Sequence, residues 1–340
     1  MCWKCKGTGV KPAKKRVAKS TCAVCGGSGI SSKRSRQEKH EGDAGKVRSS
    51  HRPPPDNWIV PGPGVRGGLL PEAGEELCCL LGHWRIFQRV GGHRWSTDDL
   101  VTAWWARKEW ERRAGAAGGG GSTLPPERCL DLGCGIGSVL MMTAWGFPAA
   151  RCVGIEAQCL SAEMARRSVR YNGADGRCTV HLGDIREAGA LPSCDAQPFE
   201  LVTGTPPYFK VDWDGATGAA SAGMGGLPTC GGIEAYCEAA ARWLAPGGVF
   251  VVCEGWLQNN AQRVPVAARL AGLDVLTELQ VHGRDDKPPL FAVYSMSKRV
   301  EGAAAPEPEV RSLVVRFKGG RRSEEYVRLM REMGIWTADA

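Results

Sequence analysis

Arg128-Cys129-Leu130-Asp131-Leu132-Gly133-Cys134-Gly135-Ile136-Gly137 decides the reading of this chain. Its first five residues read as a strand, the alternating glycines as a tight turn, and the apolar run from Ser138 to Trp145 as a helix. Glycines at a strand-to-helix junction let the backbone approach a ligand closely, with the helix N–H groups pointing at it. Such a loop alone suits several nucleotide-like ligands, dinucleotides among them. Two details separate these ligands. The acid Asp131 precedes the first glycine, and Gly137 follows Gly135 by two residues rather than three. Both features suit S-adenosylmethionine better than a nicotinamide dinucleotide.

The segments downstream repeat the logic. Cys152-Val153-Gly154-Ile155-Glu156 is a short apolar strand ending in an acid 19 residues after Gly137, placed to accept ribose hydroxyls. Cys178 to Ile185 is a third strand, whose terminal acid Asp184 would contact adenine. Phe199 to Gly204 is a fourth, running into Thr205-Pro206-Pro207-Tyr208. Open parallel sheets bind ligands at the carboxyl ends of their strands, where all four segments place their polar residues. A helix from Ile233 to Leu244, a strand from Val249 to Cys253 and a helix from Asn260 to Ala271 interrupted by Pro265 follow. Asp274 to Val281 and Leu290 to Met296 then read as strands with no helix between them.

Five β-α units closed by an antiparallel hairpin resemble the class I S-adenosylmethionine-dependent methyltransferases over residues 77 to 300. The resemblance implies an α/β fold, a seven-stranded Rossmann-like sheet with helices on both faces. It also implies a cofactor site of Asp131, Gly133, Gly135, Gly137, Glu156 and Asp184. Thr205-Pro206-Pro207-Tyr208 is similar to the [Asn/Asp/Ser]-Pro-Pro-Tyr signature of amino-methyltransferases in three of four positions. There, the first side chain and the first proline carbonyl accept hydrogen bonds from a target NH2, and the aromatic ring stacks on its planar group. Thr205, Pro206, Pro207 and Tyr208 are therefore the expected catalytic residues, with Thr205 also beside the cofactor. Threonine in place of Asn or Asp offers a shorter acceptor.

Upstream, Leu81 to Gln88 and Gly92 to Ala103, with Thr97-Asp98-Asp99-Leu100, resemble the start of the bacterial tRNA(Val) adenine-N6 methyltransferases. That likeness implies that Gln88 and Thr97 pack over the cofactor and that the substrate is the N6 amine of adenine in structured RNA, tRNA or rRNA. The strand Ser312 to Phe317, the turn Gly319-Gly320 and the helix opened by Ser323 resemble the same family's ending. Two other readings stay open: a catalytically inactive cofactor-binding RNA or assembly factor, and a protein-glutamine N-methyltransferase.

The N-terminal stretch has a different character. Cys2-Trp3-Lys4-Cys5 and Cys22-Ala23-Val24-Cys25, separated by 16 residues, have the spacing of one structural tetrahedral zinc site. With the glycines that follow each pair, they resemble half of the zinc module of DnaJ-type chaperones. Of the formal charge of +8, residues 1 to 52 carry +11, from 14 Lys/Arg against 3 Asp/Glu, which leaves −3 for the rest. A cationic head on a near-neutral body suits phosphate contacts. The expected organisation is a zinc module over 1–30, a basic Pro/Gly linker over 31–68, the catalytic domain over 69–300 with an N-terminal helical segment over 69–127, and a strand-helix extension over 301–340.

The 15 cysteines, an odd number, argue against a disulfide framework, and a cysteine cluster beginning at residue 2 leaves no room for a secretory signal. A reducing compartment, cytoplasm or nucleus, is expected, with no membrane partner. The six histidines show no ligand spacing. Trp104, Trp105 and Trp110 read as core, and the Gly/Ala/Thr-rich stretch after Tyr208 as a mobile lid or substrate loop, with a disordered insertion as the other reading.

Overall fold

The computed structural model describes residues 57–337 apart from 93, 117–123, 194, 208–230 and 257–262. The chain divides into two units, Met1–Arg52 and Pro53–Ala340, and the described residues all belong to the second. The expected zinc ligands Cys2, Cys5, Cys22 and Cys25, and Tyr208, lie outside the described residues.

Residues 57–68, read from sequence as the end of a linker, lie against the body. Trp58 meets Trp336 with ring centroids 5.0 Å apart, and the Arg66 and Gly67 N–H groups both donate to Tyr171 O. Trp84 Nε1 donates to Gly64 O at 3.3 Å. The next segment departs from the helical reading of 69–127. It opens with an antiparallel hairpin of β1 (Glu75–Cys79) and β2 (Arg85–Arg89), and only then enters α1 (Thr97–Ala116). Ser96 and Asp99 start that helix: Asp99 Oδ2 accepts the Ser96 N–H at 2.9 Å, and Asp98 and Asp99 lie in the first turn, where negative charge is favoured.

The body alternates strands and helices: β3 (Arg128–Leu132), α2 (Ser138–Gly146), β4 (Arg151–Glu156), α3 (Cys159–Tyr171), β5 (Cys178–Leu182) and β6 (Phe199–Gly204). It continues through α4 (Ile233–Trp243), β7 (Leu244–Gly255), α5 (Arg263–Leu270), β8 (Leu273–His282), β9 (Phe291–Lys298), β10 (Glu309–Val314) and α6 (Glu324–Glu332). The sheet runs β5-β4-β3-β6-β7-β9-β8-β10, and only β9 is antiparallel to its neighbours. Seven strands form the expected sheet with its closing hairpin. The eighth, β10, adds to the β8 edge in parallel, with Glu309 opposite Thr277.

Alternate strand residues face opposite layers. Leu130, Leu132, Val202, Phe250 and Val252 pack under α4 and α5, while Cys129, Leu201, Val249, Val251 and Cys253 pack under α1, α2, α3 and α6. Both faces are covered, which is why the central strands read as nearly continuous apolar runs. The helix α2 is buried from Ser138 to Trp145, so it shows no polar face. Pro265 does not interrupt α5; it sits in the first turn, where a missing N–H costs no hydrogen bond. Trp104 and Trp105 are buried, as expected, and donate to Glu332 Oε2 and Thr277 Oγ1.

Candidate active site at the carboxyl ends of the parallel strands

The strand order reverses between β3 and β6: the chain moves outward through β4 and β5, then returns to the other side of β3. A crevice at the carboxyl ends of two such strands is where open α/β sheets place ligands. The glycine turn occupies that point. Gly133, Gly135 and Gly137 have φ of 59°, 55° and 89°, a region that side chains rarely enter. The turn is pinned by Cys134 N–H donating to Ile155 O and Gly137 N–H donating to Cys134 O. Gly137 then caps α2 with no side-chain hydrogen bond. A helix start left this way presents backbone N–H groups to an anionic group.

Three carboxyl groups surround the turn. Glu156, at the end of β4, accepts the Gly135 N–H through Oε2 at 2.8 Å and the Gln158 N–H through Oε1 at 2.7 Å, tying β4 to the loop. Burial raises its pKa, with these N–H groups opposing the shift. Asp131, at 2% exposure, lies beneath the turn. Its Oδ1 accepts the Thr203 hydroxyl at 2.8 Å, and its buried Oδ2 has no hydrogen-bond partner among the described residues. Burial pushes this carboxyl up to about 7, against the Thr203 hydroxyl and the nearby Leu140 N–H. Asp99 from α1 reaches the same region and is likewise raised to about 7, first by burial and then by Asp98, with Asp131 adding to the repulsion. The Ser138 hydroxyl opposes that shift by hydrogen-bonding Asp99.

Among the described residues no Lys, Arg or His forms an ion pair with Asp99, Asp131 or Glu156. Helix-start N–H groups beside buried acids that have no ion-pair partner among the described residues make a site for a ligand carrying both signs. An amino acid with a second cationic centre fits that description.

No protein-family model matches the chain. It is 36% identical over 85 residues to a tRNA1(Val) (adenine(37)-N6)-methyltransferase of Porphyromonas gingivalis, which covers 25% of this chain and 33% of that protein. It is 29% identical over 171 residues to a release factor glutamine methyltransferase of Bordetella pertussis, covering 47% and 56%. The chain thus spans a third to just over half of these relatives' lengths. A crystal structure of a predicted O-methyltransferase from Agrobacterium tumefaciens superposes with a TM-score of 0.50 at 19% identity, covering 72% of this chain and 100% of that one. The chain has the class I methyltransferase fold.

Within that methyltransferase fold, the residues read from sequence separate by role. Asp131, Gly133, Gly135, Gly137 and Glu156 come together around the turn. Asp184, after β5, is drawn below its ordinary pKa by Arg186, whose guanidinium and backbone N–H both bond the carboxylate. Gln88, on β2, is 1% exposed, and its Oε1 accepts the Trp95 N–H at 2.9 Å; it fixes the entry to α1. Thr97 opens α1 and shares a hydrogen bond with the Tyr326 side chain. Thr205 and Pro207 are half-buried directly beyond β6, and Pro206 between them is buried.

Sequence reasoning missed Thr203, Asp99 as a partner of the turn, and Tyr236 of α4, whose ring covers Gly133 and Gly204. Asp99 carries a readable signal, three residues after Ser96 in a capping box. Thr203 and Tyr236 carry none, because their roles arise from strand pairing and helix packing. Among the described residues no helix is long and apolar enough to cross a membrane. Nine described cysteines are free thiols; burial raises the pKa of Cys134 and Cys237, while a hydrogen bond with Cys129 raises that of Cys152 and one with Cys152 raises that of Cys178, with burial behind them.

Proposed function

We propose that this chain is an S-adenosylmethionine-dependent N-methyltransferase acting on the exocyclic N6 amine of adenine in RNA. The observation that carries the cofactor assignment is the group of buried, unpaired acids around an uncapped helix start. The α2 N–H groups would receive the cofactor's carboxylate, Asp99 and Asp131 would favour its ammonium and sulfonium charges, and Glu156 would take the ribose hydroxyls. Asp184 would meet the adenine, sharing its carboxylate with Arg186. When bound, the cofactor supplies an electrophilic methyl group.

Thr205 and Pro206 leave β6 beside this site. The Thr205 hydroxyl and the Pro206 carbonyl would accept the target amine's two hydrogens, freeing the nitrogen lone pair from conjugation. Tyr208, outside the described residues, would stack on the base. Such a site works by position and charge rather than by a strong base. The adenine assignment is supported by the likeness to the Porphyromonas protein, by the similarity of the Thr-Pro-Pro-Tyr run to the amino-methyltransferase signature, and by the +11 head with its zinc spacing.

The likeness to the Bordetella protein favours a second reading, methylation of a glutamine side chain, whose planar amide the same motif would hold. Incubating the full chain and cell extract with methyl-tritiated cofactor, then digesting with ribonuclease or protease, separates the two. Label released by ribonuclease alone supports the RNA reading; label released by protease alone overturns it.

A further inference from the structure

The segment Val315-Arg316-Phe317-Lys318-Gly319-Gly320-Arg321-Arg322 carries four cations and no acid, although residues 53–340 as a whole sum to −3. Its backbone is tightly held. Arg316 and Arg322 form an antiparallel bridge, the Phe317 N–H donates to Arg321 O at 2.8 Å, and the Gly320 N–H donates to Phe317 O at 2.8 Å. The Asp285 N–H, in the β8–β9 turn, donates to Arg316 O at 3.0 Å and fastens the turn to the sheet. Ser323 closes the base through its hydroxyl, which donates to Val314 O and caps α6 by accepting the Tyr326 N–H.

Three of the four cations on this turn are exposed, and the fourth, half-buried Arg322, donates to Thr337 Oγ1 at 2.8 Å. Arg316, Lys318 and Arg321 are exposed and form no ion pair among the described residues; Arg316 Nη1 donates to Gly320 O at 3.0 Å, and Arg321 lies over the half-buried Phe317 ring at 5.1 Å. Of the acids beside the turn, Asp285 gives its N–H to Arg316 O, Asp286 is paired with Arg284, and Glu324 and Glu325 occupy the first turn of α6.

Position gives the turn its meaning. β10 is parallel to β8, and β8 and β7 are both antiparallel to β9, so β10 ends at the same edge of the sheet as β3 and β6. The link to the site is also physical. Ser323, at the base of the turn, accepts the Tyr326 N–H, and the Tyr326 side chain bonds Thr97 at the start of α1, two residues before Asp99.

We propose that the turn from Arg316 to Arg322 is a docking site for the phosphate backbone of RNA, holding a strand along the edge of the sheet that carries the amine pocket, with β8, β9 and β7 between the turn and β6. This rests on the RNA reading above and adds to it a second, sequence-independent contact on the body of the protein. Backbone contacts of this kind position a nucleic acid without reading its bases. A fixed array of cations serves that role at less ordering cost than a mobile one.

The test uses the full chain and a fluorescent RNA stem-loop in a salt titration. Lys318→Gln/Arg321→Gln is compared with Arg269→Gln/Lys298→Gln, which removes the same charge at the opposite edge of the sheet. Each lost phosphate contact removes about 0.7–0.9 from the slope of log affinity against log salt. The turn variant is therefore expected to lose about 1.4–1.8 from that slope and about tenfold in affinity at low salt, with cofactor affinity and melting temperature unchanged. The control variant is expected to bind as wild type. Equal shifts in both variants, or none in either, overturn the proposal. If wild type methylates and binds RNA but the turn variant binds as tightly, the docking site alone is wrong. If wild type binds no RNA and labels protein, the RNA reading falls and the docking site falls with it.

Discussion

The side chain of Tyr236 occupies the space directly over Gly133, so that a Cβ at Gly133 would collide with the phenol oxygen and ring. The same ring fills the space over Gly204, where a Cβ would stand 2.7 Å from its Cδ1. One residue of α4 therefore locks the glycine turn after β3 to the strand end that leads into Thr205.

That contact separates two kinds of glycine. Gly133 and Gly135 both have positive φ, but a Cβ at Gly135 would meet nothing within 4 Å. Gly135→Ala is expected to cost about 1–2 kcal/mol, the left-handed penalty alone. Gly133→Ala must in addition displace Tyr236 and is expected to weaken cofactor binding at least tenfold more than Gly135→Ala. Chemical denaturation and cofactor titration of the two variants check both statements.

The buried acids make the site pH-dependent. Asp99 and Asp131 are raised to about 7, above the ordinary value of about 4 for an aspartate in the unfolded chain. The folded chain thus holds these protons more tightly than the unfolded one. The stability they contribute is full below about pH 4 and is lost as pH rises through about 7. Cofactor-free protein is expected to melt at a lower temperature at pH 8 than at pH 5.5, and Asp131→Asn to flatten that difference. A cationic ligand favours the ionised carboxyls, so cofactor affinity is expected to rise over the same interval. Melting curves and titrations at the two pH values read both effects.

Arg167 of α3 holds the β1–β2 hairpin in place. Its Nη1 lies 2.8 Å from Glu75 Oε2, its Nη2 donates to Leu70 O at 2.8 Å, and its guanidinium lies over the Phe87 ring at 4.5 Å. Both partners of the ion pair are largely buried, with side-chain exposures of 8% and 10%. Arg167→Ala leaves Glu75 uncompensated and is expected to cost about 3–5 kcal/mol, measured by denaturant unfolding. Because the hairpin carries Gln88, the loss should also loosen the entry to α1, seen as faster amide exchange at Trp95.

The zinc spacing at the N-terminus makes its own prediction. Purified protein is expected to contain one zinc per chain by elemental analysis, and Cys22→Ser to lose it while cofactor affinity stays unchanged. Equal metal content in wild type and Cys22→Ser would remove Cys22 from the ligand set.

The parts of the fold that depend on local pattern were legible in the sequence. Strand-glycine-helix at Arg128–Gly137 and the acids ending β4 and β5 are short-range signals, and their order along the chain is what specifies the sheet. The β1–β2 hairpin was not legible. Glu75–Cys79 lacks the alternation of a half-buried strand, and its burial is intermediate along nearly its whole length. The expected strand Ser312–Phe317 lies three residues late against β10 (Glu309–Val314), and its pairing with β8 was not legible, since register against a distant strand leaves no local trace. The same limit hid Thr203 beneath Asp131 and Tyr236 over Gly133, each of which acts through a contact made only when the chain is folded.

The claim on which everything else rests is that the turn at Gly133–Gly137, ringed by Asp99, Asp131 and Glu156, holds S-adenosylmethionine. Isothermal titration of the full chain with the cofactor tests it most directly. One molecule should bind per chain, at least tenfold more weakly to Glu156→Ala than to wild type, with Arg269→Gln binding as wild type. Failure of the folded wild-type chain to bind the cofactor, or equal binding by Glu156→Ala, would contradict it.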